Sequence, residues 1–163
     1  MILHYFKKKE NKEQIIATEQ YKKILAESNF FLNENNFFKV KNYKVSFEIV
    51  SIFLIMFIRK NLLEENRSYY LKVNDELISL FISDLDESLR EKGIGDMSIG
   101  KYVKSYVKKF YFRLSKFPDN INLYKNKSFL EYLKVTDLIK NDDYINVSRK
   151  FNDKFVDFIN STN

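Results

Sequence analysis

The sequence predicts an all-α protein, a single-domain bundle of about six to eight helices around one central apolar helix. Three observations predict it. Glycine and proline, the residues that interrupt helices, number only three and one in 163 residues. Apolar side chains recur at three- and four-residue steps through most of the chain, the spacing of one helix face. From Ile49 to Ile58 only Ser51 interrupts an apolar run, and a helix apolar on every side must be enclosed by others.

Taken in order, Ile15, Ile16, Tyr21, Ile24 and Leu25 predict an amphipathic helix over 12–28. The pairs Phe30-Phe31 and Phe37-Phe38 then flank an Asn-rich middle, which reads as a short helix or compact loop. The segment 45–58 reads as the central core helix, or as a helix one side of which waits for a partner. It falls short of the roughly 20 residues needed to cross a bilayer, and Glu48 and Arg59-Lys60 bracket it, so no membrane span is expected. Two longer amphipathic helices follow over 68–92 and 98–117. Ile78, Phe81, Ile82, Leu85 and Leu89 make the stripe of the first, and Ile99, Val103, Tyr106, Val107, Phe110, Leu114 and Phe117 that of the second.

Between these two lies a corner that holds all three glycines, Gly93, Gly95 and Gly100, where a sharp turn or a close backbone approach is expected. Gly93 is the expected left-handed stop, Asp96 or Ser98 the expected cap of the next helix, and Pro118 its end. Leu123 and Tyr124 suggest a turn or short helix. Phe129, Leu130, Leu133, Leu138 and Ile139 mark another helix, and Phe151, Phe155, Phe158 and Ile159 a last one. No repeat or low-complexity linker appears, so 1–163 reads as one domain.

Cysteine is absent, which removes disulfides, thiolate metal sites and cysteine nucleophiles. The only histidine is His4, read as a solvated bystander, so triad chemistry is not expected either. A net charge of +6 favours anionic surroundings such as nucleic acid, acidic lipid or an acidic partner. The first residues, Met1 to Phe6, precede Lys7-Lys8-Lys9, the reverse of a secretory signal, so a cytoplasmic location is expected. Lys and Asn are plentiful, for which an AT-rich genome accounts as readily as physics does.

Lys101, Lys104, Lys108, Lys109, Arg113 and Lys116 put six cations on the helix after the corner with no acid between them. They read either as a phosphate-gripping patch, on RNA or lipid headgroups, or as an ordinary solvated face. Tyr102, Tyr106 and Tyr111, interleaved with them, fit stacking, an interfacial belt or plain packing alike. Asp84, Asp86, Glu87, Glu91 and Asp96 form an acidic cluster at the corner, where Asp86 stands four residues before Arg90 in the favourable order for an ion pair. Pairing and capping account for this cluster better than a metal does.

The segments Asp84-Leu85-Asp86, Leu89-Arg90-Glu91, Gly93-Ile94-Gly95-Asp96-Met97-Ser98-Ile99-Gly100-Lys101 and Phe110-Tyr111-Phe112-Arg113 resemble the signature of the ubiquinol-cytochrome c chaperone family. The likeness runs from about Tyr43 to Phe117, and Phe112 stands where the family usually has glycine. The resemblance implies a non-enzymatic chaperone without cofactor or small-molecule substrate, which handles newly made cytochrome b during assembly of the cytochrome bc1 complex. It implies the ribosome near its exit tunnel and the membrane surface as further partners, with peripheral contact at the inner face of the cytoplasmic membrane, and leaves a small helper protein open.

A client of that kind needs an apolar surface, and Phe30, Phe31, Phe37, Phe38, Ile49, Ile52, Phe53, Met56 and Phe57 are the expected contacts, with simple core as the plainer reading of each. Two other classes remain in view. One is a basic helical module that binds nucleic acid or the ribosome; the other is a metal hydrolase on Asp84, Asp86 and Asp96, which needs three converging carboxylates.

Overall fold

A computed structural model describes residues 11–119 and 122–161. His4 and the stretch from Met1 to Lys9 lie outside the described residues. Among the described residues there are six α-helices and no strand: α1 Lys12–Glu34, α2 Tyr43–Asn61, α3 Arg67–Glu91, α4 Asp96–Lys116, α5 Lys127–Thr136 and α6 Tyr144–Asn160. Single 3-10 turns at Leu123–Lys125 and Lys140–Asp142 flank α5.

Four of these helices open in the same way. Asn11, Asn42, Asn66 and Asn126 each stand just before a helix, and each side chain accepts a bond from the amide three residues on, at 2.8 to 3.2 Å. Each satisfies one of the amides left without a partner in the first turn, where Asn is among the best residues. The plentiful asparagines thus have structural work.

The central helix is the expected one. Every residue of α2 from Ile52 to Ile58 is buried, and the core around it draws on α1, α3, α5, α6 and Phe110 of α4. On α3, Val73, Leu77, Phe81, Leu85 and Leu89 repeat every fourth residue and all are buried. Where α1, α2 and α3 meet, Asn61 bonds both Gln20 (2.9 and 3.0 Å) and Asn74 (2.7 Å), and Asn74 donates to the Ile58 carbonyl at 3.3 Å. Each buried amide thereby has a partner, as burial demands.

The region 30–38 divides. Phe30 and Phe31 belong to the last turns of α1, whereas Phe37 and Phe38 lie in the connection to α2. Phe38 pairs with Ile139 in an isolated antiparallel bridge, closed by Lys39 N–H to the Leu138 carbonyl (2.9 Å) and Lys140 N–H to the Phe37 carbonyl (2.7 Å). This clip joins the α1–α2 connection to the α5–α6 connection.

At the corner, Gly93 has φ +85°. Its amide bonds the Arg90 carbonyl at 2.8 Å and the Ile94 amide bonds the Leu89 carbonyl at 3.2 Å, the pair of bonds that closes a helix through a left-handed residue. Gly95 and Gly100 differ from expectation. Neither has positive φ, and a methyl group on either would meet nothing within 4 Å. The cap of α4 differs too: Gly95 holds that position and uses its carbonyl alone, because Asp96 is already inside the helix and turns to Arg90.

Candidate functional site

The nine expected client contacts are mostly interior. Phe31, Phe38, Ile52, Phe53, Met56 and Phe57 are buried; Phe37 is half-buried. Phe31 sits at the centre of an aromatic cluster, with ring centroids 4.5 Å from Phe151, 5.4 Å from Phe53 and 6.2 Å from Phe38. Phe53 and Phe57 pack on Phe158 of α6 at 5.6 and 4.7 Å. The far half of α2, where Phe53 and Phe57 were expected client contacts, is therefore covered by α6, whose own apolar stripe needed a partner. Of the nine, Phe30 alone is exposed, beneath the Lys154 ammonium at 5.5 Å.

The near half of α2 is different. Ser46 and Val50, one turn apart, form a half-buried ridge with a recess on either side. Toward α1 the recess is about 270 Å³, lined by Leu25, Ser28, Leu32 and Ile49, the last of them fully buried. Ser28 Oγ has no hydrogen-bond partner among the described residues. Toward α3 the recess is about 120 Å³, lined by Tyr43, Phe47, Phe81 and Leu85, with Asp84 at its edge. An apolar trough thus runs along the first half of α2 between α1 and α3.

The same half of α2 carries a charged cluster that the reading of the sequence missed. Glu48, fully buried, accepts two bonds from Arg113, Nε and Nη2 each at 3.2 Å, and forms an ion pair with Lys109 Nζ at 2.5 Å. The Arg113 side chain is 8% exposed and its guanidinium stands 5.3 Å from the Tyr132 ring centroid. Burial, and secondarily the Glu48 charge, pushes the Tyr132 phenol well above its ordinary range. The expectation of six solvated cations on α4 is corrected accordingly: Lys101, Lys104, Lys108 and Lys116 face solvent, while Lys109 and Arg113 turn inward. The available signal was Glu48 itself, an acid within the most apolar helix, which a buried cation had to match.

The acidic corner resolves into pairs. Arg90 binds Asp86, Nε to Oδ2 at 2.5 Å, and also binds Asp96. Asp84 accepts the Tyr21 hydroxyl at 2.7 Å, and burial together with this carboxylate raises the Tyr21 phenol. Because Asp84 turns toward α1 while Asp86 and Asp96 turn toward Arg90, the three carboxylates do not converge, and no metal-holding group occurs among the described residues. The hydrolase reading ends there. No helix of the described residues is long and apolar enough to cross a membrane.

The helices that carry this trough and this charged cluster, α2 to α4, coincide with a known family: the one described as ubiquinol-cytochrome C chaperone matches residues 40–122. The chain belongs to that family. Comparison with curated proteins and with solved structures finds no match. Membership of that family supports a chaperone role in assembly of the bc1 complex. The matched residues include Glu48, Lys109 and Arg113, and the α2 and α3 walls of the trough; the α1 wall lies outside them.

Proposed function

We propose that this chaperone holds newly made cytochrome b, or a similar apolar membrane protein, by seating part of a transmembrane segment in the trough beside Ser46 and Val50. One observation carries the reading: the trough is an accessible apolar recess on α2, which lies within the family's matched region. Side chains of a membrane helix gain by leaving water for such a recess, and burial of this kind needs no directional chemistry. Binding takes place during synthesis or insertion, in the cytoplasm, and the ribosome near its exit tunnel, the membrane surface and a small helper protein are the further partners in this reading.

The test is photo-crosslinking in living cells from a probe at Val50, with a probe at the interior position Phe53 as control. Cytochrome b attached at Val50 and absent at Phe53 supports the proposal. Crosslinks to cytochrome b from other faces only, with none at Val50, would remove it. A basic nucleic-acid module is not favoured, because the inward turn of Lys109 and Arg113 takes two of its six cations away.

A further inference from the structure

We infer that the outer face of α4 is a docking surface for an anionic membrane, on which its lysines meet lipid phosphates while its exposed apolar side chains enter the headgroup boundary. At 100° per residue, Lys101, Lys104, Lys108 and Lys116 fall on one side of the helix together with Met97, Tyr111 and Phe112. Ile99, Phe110 and Arg113, the buried residues of α4, lie on the other side.

Among the described residues no ion pair answers the charge on that face. Asp96 is the only acid in α4 and Arg90 binds it. None of the four lysines takes part in an ion pair among the described residues. Four cations over about 23 Å of helix therefore wait for an anionic surface of similar extent.

The apolar groups select the kind of surface. Met97 is fully exposed, Phe112 is 54% exposed and Tyr111 48% exposed, all among the lysines. At the far end, a cleft of about 540 Å³ separates α4 from α5, with Phe112 and Lys116 on one wall and Val135, 68% exposed, on the other. An amphipathic helix with cations and large apolar groups on one face lies in the plane of a membrane interface, and aromatic rings settle at that depth. RNA would answer the lysines and stack on the rings, but offers nothing to Met97 and Val135, which gain only in an apolar medium. The inference rests on the membrane surface proposed above as a partner and names the face that meets it; since Ser46 and Val50 take no part in it, vesicle binding and the Val50 crosslink succeed or fail separately.

Co-sedimentation of the full chain with vesicles tests it, using phosphatidylglycerol in phosphatidylcholine against phosphatidylcholine alone. Binding to the anionic vesicles only, falling steeply with salt, is expected. The combined Lys101→Gln, Lys104→Gln and Lys108→Gln variant should lose on the order of 100-fold in affinity. Phe112→Ser should weaken binding several-fold with its salt dependence unchanged. All four positions are exposed, so melting curves should match the parent; the salt series on the unaltered protein decides the matter independently of any variant. Equal partition onto both vesicles, or full binding by the triple variant, overturns the inference. So does tight RNA binding that the triple variant abolishes while vesicles stay unbound, a result that assigns the face to nucleic acid.

Discussion

Glu48 stands inside the most apolar helix of the protein, and removal of its partner should be among the costliest single changes available. At 3.2 Å from Arg113 and an effective dielectric constant of about 20, Coulomb attraction is about 5 kcal/mol. Desolvation of two ions offsets much of that, so the pair adds little net stability, yet loss of one member strands a buried charge at about 3 to 5 kcal/mol. Arg113→Met should fall at the low end, near 3 kcal/mol, because Lys109 still contacts Glu48 at 2.5 Å. Glu48→Leu should fall near 5 kcal/mol, since it leaves Arg113 buried without a carboxylate.

Together these changes should not add. Glu48→Leu with Arg113→Met replaces the pair by apolar groups of similar size, and Lys109, whose side chain is 31% exposed, can turn to water. The double variant should therefore lie within about 1 kcal/mol of the parent, a coupling well above 2 kcal/mol. Denaturant unfolding measures all four corners of this cycle. Thermal melts should show drops of roughly 6 to 20 °C for the single variants. Single losses below about 1 kcal/mol, or a double loss equal to their sum, would refute the argument that an isolated buried charge is what each single change creates.

Further outcomes follow from other parts of the fold. Gly93→Ala forces an alanine to φ +85° and should cost about 1 kcal/mol, whereas Gly100→Ala, in open helix, should stabilise by roughly 0.5 to 1 kcal/mol; paired denaturant melts separate them. Arg90→Ala should lower the melting temperature slightly, through loss of its contacts with Asp86 and Asp96, and high salt should erase the difference because the pair is exposed. Tyr132→Phe should be neutral or stabilising by about 1 kcal/mol, since its buried hydroxyl has no hydrogen-bond partner. Tyr21 and Tyr132 are both held above the ordinary value of 10.0, so the unfolded chain loses these protons first. Stability should stay level with respect to these groups below about pH 10 and fall above it, and Tyr132→Phe should reduce the slope measured by alkaline unfolding.

Which parts of this molecule were legible in the sequence depends on whether the controlling physics is local. Helix identity, the stop at Gly93 and the Asp86–Arg90 pair are decided by neighbours within one or two turns, and each could be read from spacing. The Asn caps were equally local, but read as composition they lost their meaning, although each precedes its helix by one residue. Burial was different, because periodicity tells which face of α2 is apolar and says nothing when every face is. Whether the Phe53 side or the Val50 side stays open depends on where α6 lands, and that is set by a stripe a hundred residues away, Phe151, Phe155 and Phe158. Separation along the chain also hid the inward turn of Lys109 and Arg113: on α4 alone they continue a row of cations, and only the approach of Glu48 from α2 distinguishes them. An acid in an apolar helix is thus a long-range constraint written locally. A cation adjoining an apolar stripe, as Arg113 adjoins Phe110 and Leu114, is its natural partner, and that rule can be applied before any coordinates exist.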